Sequence, residues 1–150
     1  MKYNLISMFV AYALFAMSGC SENDTERSVI ESVNVGEQLA KSYIIIDTHI
    51  DVPYRLEQKW VDVSNATQGG DFDYPRAISG GLNAPFMSIY IPAEYELVGG
   101  SKELADKLID SVENIVASAP DKFAIATSVE QVKEHFNKGL ISLPMGMENG

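Results

Sequence analysis

"IIIDTHIDVP", residues 44–53, sets three isoleucines directly against two aspartates that flank a histidine. The unbroken β-branched run, entered from Tyr43, predicts a strand over 43–47 that is buried on both faces. Its tip is charged, and a buried strand that ends in unpaired charge needs something to bind there. His49 and Asp51 stand two residues apart. On a strand, positions i and i+2 point the same way, ~6.5 Å apart along the chain, so both side chains can reach one metal ion. The carboxyl end of a strand is also where parallel α/β folds build their sites. A neutral imidazole with a carboxylate suits zinc. Taken alone, H-x-D fits a solvated turn after a buried strand just as well.

The rest of the chain supplies more strands of the same kind. "APFMSIYIP", residues 84–92, reads as a second strand closed by Pro92, and "LISLPMGM", residues 140–147, as a third. Pro144 is awkward inside that third strand, because proline cannot donate to a ladder. Before the first strand, Val29, Val33 and Ala40 suggest an amphipathic helix over 29–43, weakened by Gly36. Between the first two strands lies a loop-rich segment with turn signals at Gly69-Gly70, Tyr74-Pro75 and Gly80-Gly81. The clearest helix is capped at Ser101, carries Leu104, Leu108, Val112, Ile115, Val116 and Ala119 on one face, and ends at Pro120. A shorter helix starts at Thr127 or Ser128 and stops at Gly139. Strands alternating with helical crossovers predict an α/β fold with a parallel sheet. Three parallel strands leave an open edge, so the chain reads as the beginning of a larger α/β protein.

Glu148 lies at the tip of the third strand and can reach the same mouth as His49 and Asp51. A carboxylate there can bridge two metal ions, one on each oxygen; a turn-capping acid is the plain alternative. His135 falls on the flank of the Val129, Val132 and Phe136 face of the shorter helix and reads as a boundary histidine. Asp71 and Asp73 raise calcium, but the EF-hand ligand pattern is absent. No nucleophile elbow, phosphate loop or dinucleotide fingerprint is present.

Length and charge narrow the function further. At 150 residues the chain is about one domain long on the usual ~100–200 residues per domain. Residues 1–19, "MKYNLISMFVAYALFAMSG", carry Lys2 and then no charge, the pattern of an export signal. Met17-Ser18-Gly19-Cys20-Ser21 resembles a bacterial lipobox, with the only cysteine of the chain at the lipidation position. An ordinary signal peptide or a short anchoring helix remains the alternative. The expectation is an exported lipoprotein held on the periplasmic side of a membrane by acylated Cys20, with Ser21 leaning towards the outer membrane. Residues 20–28 form its polar tether. Cleavage would remove Lys2 alone among the charges, taking the formal net charge from −10 to −11. So acidic a body repels nucleic acid and anionic headgroups, and no nucleic-acid partner is expected.

Three blocks, "IIIDTHIDVPYRL" (44–56), "GGLNAPFMSIYIP" (80–92) and "LPMGMENG" (143–150), together resemble the membrane (renal-type) dipeptidases, zinc metallopeptidases with an amidohydrolase-like barrel. They stand in that family's order and spacing from about residue 40 to the last residue. Asp51 as the second ligand, where most such barrels carry a histidine, is the dipeptidase form. The resemblance implies a (β/α)₈ TIM-type barrel of the metal-dependent hydrolase type, of which residues 29–150 would be the N-terminal part, about three strands. It implies two Zn²⁺ ions, with His49 and Asp51 on one and Glu148, the catalytic bridging ligand, on both. A metal-bridging hydroxide would attack the carbonyl of a small dipeptide. The family tolerates a D-residue at the second position, which makes peptidoglycan-derived dipeptides candidate substrates. Tyr54 and Tyr90 match positions that line the family's substrate pocket, although aromatic packing at strand ends also accounts for them. The family's further metal histidines and a late aspartate belong to later strands, so residues 1–150 alone are expected to be inactive. A homodimer is compatible with this reading. The alternatives are a non-catalytic binding lipoprotein on the same barrel and another metal-dependent amide hydrolase.

Overall fold

The computed structural model of the chain describes residues 35–150. The export signal, Cys20, the tether and residues 29–34 of the first expected helix lie outside the described residues. Helix α1 covers 35–42 within that range. It is followed by β1 (Ile45–Ile50), α2 (Val52–Gln58), α3 (Tyr74–Gly80), β2 (Leu82–Tyr90), α4 (Tyr95–Val98) and α5 (Ser101–Ser118). The chain continues through β3 (Phe123–Ile125), α6 (Val129–Asn137), β4 (Ile141–Leu143) and β5 (Met145–Glu148). Every strand pairing is parallel, in the order β1-β2-β5 with β3 beside β4. The fold is α/β with parallel strands. Among the described residues no helix is long and apolar enough to cross a membrane.

The core forms where helical and strand periodicities meet. Leu104, Leu108, Val112 and Ile115 recur every three or four residues along α5 and are all buried. They share one apolar cluster with Met87 and Ile89 of β2, Phe123 of β3, and Ile141 and Leu143 of β4. Each fully buried side chain of this size contributes about 1.5–3 kcal/mol, so α5 is fastened to the sheet by its pattern. The cap of α5 is Gly100, one residue earlier than expected. Gly99 and Gly100 both take positive φ, 75° and 89°, and turn the chain before Ser101, which becomes the first helical residue. In α6 the cap is Ser128, whose hydroxyl accepts from Gln131 N at 3.2 Å. At its other end Gly139, with φ 72°, lets Leu140 N donate back to His135 O at 2.9 Å, a Schellman closure.

Three expectations are corrected. The loop-rich segment holds two seven-residue helices, α2 and α3. Their prolines, Pro53 and Pro75, sit in first turns, where a missing N–H costs nothing, and Gly81, with φ 78°, closes α3. The third strand is split at Pro144 into β4, which pairs with β3, and β5, which pairs with β2. Pro144 has no N–H to give, yet its carbonyl still accepts from Met87 N at 2.8 Å, so contact with β2 survives the break. Finally, β1 is not buried on both faces: Ile46 is 51% exposed. Among the described residues β1 pairs on one edge only, with β2, and a run of isoleucines specifies a strand without specifying what covers it.

Candidate metal centre

The carboxyl ends of β1, β2 and β5 meet at one mouth. His49 is the penultimate residue of β1, and the strand bulges there: Asp47 pairs with Pro85 but Ile50 with Met87, so β1 carries one residue more than β2. Asp47 holds this irregular tip, its Oδ1 accepting the backbone N–H of His49 at 3.0 Å. Bulges re-aim side chains, and this one aims the His49 ring across the strand ends. Asp51 is not on the strand, as the i, i+2 spacing implied. It is the residue between β1 and α2, in the N-cap position with φ −88° and ψ 34°. An aspartate there normally accepts from its own helix, but the Asp51 carboxylate makes no capping bond. It turns to His49 instead, Oδ1 standing 3.1 Å from Nε2.

Glu148 ends β5, in register with Tyr90 of β2. Its Oε2 is 3.3 Å from His49 Nε2 and accepts from Ser88 Oγ at 3.0 Å. Asn149, directly after it, holds φ 56°, a left-handed backbone that asparagine tolerates better than most residues. One ligand atom each from His49, Asp51 and Glu148 lies within 4.8 Å of the other two. A tetrahedral zinc with bonds of ~2.0–2.1 Å separates neighbouring ligand atoms by about 3.3 Å. The observed 3.1 and 3.3 Å match that edge, and one imidazole with two carboxylates is a donor set zinc accepts. The residues fit a zinc site.

Tyr54 of α2 and Tyr90 pack edge to face beside this cluster, ring centroids 5.4 Å apart at 80°. Asp73 is spoken for elsewhere: buried, it caps α3 and accepts from Thr67 N at 2.8 Å and Arg76 Nε at 2.9 Å. The Arg76 guanidinium, ahead of the Thr67 bonds, holds its carboxyl below the usual carboxylate range despite burial. His135 is half-buried and its Nδ1 is 2.9 Å from Ser142 Oγ, a pairing within the fold away from the mouth. Ser88 was not singled out from the sequence. A signal existed, since a lone hydroxyl in "FMSIY" stands two residues before Tyr90, on the same face of β2.

The sequence profile described as membrane dipeptidase (peptidase family M19) matches residues 34–150. No curated protein matches the chain. Among solved structures, the probable dipeptidase PvdM from Pseudomonas aeruginosa aligns with a TM-score of 0.68 at 20% identity, over 81% of this chain and 31% of its own. Dipeptidase AC, a metallo peptidase of family M19, aligns with a TM-score of 0.61 at 21% identity, over 70% of this chain and 35% of its own. A metallo peptidase from Rhodobacter sphaeroides, liganded with a phosphinate mimic of the dipeptide L-Ala-D-Ala, aligns with a TM-score of 0.61 at 20% identity, over 70% and 38%. The chain thus spans about a third of the length of the structures it matches, and at such identities the likeness is one of fold. With the profile covering residues 34–150, well over half of the 150-residue chain, the chain belongs to the membrane dipeptidase family, peptidase family M19.

Proposed function

We propose that this chain carries part of the active site of a zinc-dependent dipeptidase, on the opening strands of a (β/α)₈ barrel. The observation that carries the reading is the Asp51 carboxylate, which leaves its helix uncapped and joins His49 and Glu148 with ligand atoms all within 4.8 Å. His49 and Asp51 would hold one ion and Glu148 would bridge to a second. The two carboxylates offset the charge of the cations, and the imidazole ligates in its neutral form. What bound zinc supplies is a nucleophilic water at neutral pH and polarisation of the scissile carbonyl. Tyr90, opposite Glu148 in the sheet, and Tyr54, packed against it, would contact the dipeptide. The parallel order β1-β2-β5, with the cluster at the strands' carboxyl ends, supports the barrel, where sites sit on that face.

The phosphinate mimic of L-Ala-D-Ala bound by the Rhodobacter sphaeroides protein supports dipeptides with a D-residue in second place as the substrate class. The uncharged run ending in Ser18-Gly19-Cys20 supports an exported protein anchored through acylated Cys20. The test is Glu148→Gln in the full-length protein. About two zinc ions per chain are expected in the parent, as a two-metal site requires, falling to one or fewer in the variant together with loss of L-Ala-D-Ala hydrolysis. Unchanged zinc content and near-parental hydrolysis would refute the bridging role.

A further inference from the structure

The buried hydroxyl of Ser88 has a part in this centre that neither the spacing of the ligands nor the family match assigns. β2 is apolar around it, with Ala84, Met87 and Ile89 all buried, and Ser88 itself is only 3% exposed. Its pairing partner across the sheet is Gly146, while Glu148 pairs with Tyr90. Ser88 and Glu148 are therefore diagonal neighbours on one face, and the Ser88 hydroxyl donates to Glu148 Oε2 at 3.0 Å. That is the same oxygen that stands 3.3 Å from His49 Nε2.

A glutamate's terminal torsion is broad and roughly two-fold, and the Glu148 side chain is 43% exposed, so packing alone leaves its carboxylate free to swing. A carboxylate that must serve two ions needs its plane held. We propose that Ser88 is a positioning residue for Glu148. Its hydroxyl takes one lone pair of Oε2 and keeps that oxygen turned towards His49. Oε2 retains a second acceptor site for one ion, and Oε1 is left open for another. The inference rests on the metal-centre reading above and deepens it. Partners that orient metal ligands in this way are typically worth 10–100-fold in metal affinity.

The experiment is a zinc titration of the metal-free full-length protein against a chromophoric chelator, for the parent, Ser88→Ala and Ser88→Thr, with urea unfolding of each metal-free form. Ser88→Ala is expected to bind zinc about 10–100-fold more weakly while unfolding at the parental urea concentration, because the carboxylate it releases can turn to water. Ser88→Thr keeps the hydroxyl and should recover most of the affinity. Parental zinc affinity in Ser88→Ala would overturn the inference and leave the metal centre standing. So would equal losses in the alanine and threonine variants, which would mark a packing effect. A parent that takes up no zinc would overturn the metal-centre reading, and this inference with it.

Discussion

Asp73→Ala tests whether the segment between β1 and α3 is held as one piece against the helix that starts at the site. The Asp73 side chain is 2% exposed, and its carboxylate gathers the backbone N–H groups of Thr67 and Arg76 at 2.8 and 2.9 Å. Thr67 Oγ1 and the Arg76 guanidinium complete the set. On the other side of the loop, Arg55 of α2 donates to Gly69 O at 3.2 Å and to Phe72 O at 3.4 Å. The loop is thus tied both to α3 and to α2, whose first residue follows Asp51. Removing the cap of α3 costs about 0.5–2 kcal/mol. Leaving Thr67 N–H unpaired in a half-buried place costs about 1–3 kcal/mol. Arg76 is nearly half exposed and finds water, so losing its ion pair adds at most about 1 kcal/mol. These terms overlap, and about 2–4 kcal/mol is the expected loss by urea unfolding at neutral pH.

The pH dependence gives the argument a second edge. The Asp73 carboxyl titrates below its ordinary value in the folded state, chiefly through Arg76. Its stabilisation is therefore complete above the unfolded value of about 3.9, and is lost as pH falls below that towards the lower folded value. The parent loses this contribution in acid and the alanine variant has none to lose, so the gap between them should narrow from neutral pH to below the ordinary carboxylate range. Asp73→Asn keeps an oxygen that can cap and should fall between the two. A gap under about 0.5 kcal/mol at neutral pH, the range of an ordinary surface change, or one that widens on acidification, would refute the reasoning.

Tyr90→Phe retains the edge-to-face contact with Tyr54, so stability should change by less than about 0.5 kcal/mol; if its hydroxyl binds the dipeptide, KM should rise about fivefold, the worth of a bond near 1 kcal/mol, with zinc content unchanged. An unaltered KM would remove Tyr90 from the substrate pocket. Cys20→Ser should release the protein from membranes, and mass spectrometry of the mature parent should find an acylated N-terminal cysteine; an unmodified Cys20 inside a longer chain would refute the anchor.

Helix α5 is legible because five apolar residues, Leu104 to Val116, keep helical spacing along it, and four of them are buried. Helix α6 was legible through its ends, Ser128 and Gly139. The short helices were not. In seven residues α3 has little room for periodicity, and Tyr74-Pro75 reads as a turn until Asp73 is seen capping it. β3 has only three residues, too few for an alternation to declare itself. The exposure of β1 is a tertiary property: Ile44 to Ile46 are equally apolar whether covered or open.

The site shows the same limit more sharply. His49 and Asp51 were expected to converge because alternate residues of a strand share a face, but Asp51 is past the end of β1 and a bulge intervenes at His49. Strand alternation would have left their attachment points ~6.5 Å apart along a straight chain, with reach to spare between the side chains. What brings Nε2 and Oδ1 to 3.1 Å is a strand that kinks at the histidine and turns into a helix at the aspartate. Asp47 stabilises the kink through its bond to His49 N–H, and Pro53, in the first turn of the helix that starts at Val52, favours that start. Both are in the quoted stretch. "DTHIDVP" therefore encodes the ligands and also the backbone that aims them: the first aspartate shapes the tip, the histidine and second aspartate face each other across it, and the proline supports the first turn of the helix. A reading by residue type finds the ligands, but the roles of Asp47 and Pro53 emerge only when the backbone hydrogen bonds of the turn are accounted for.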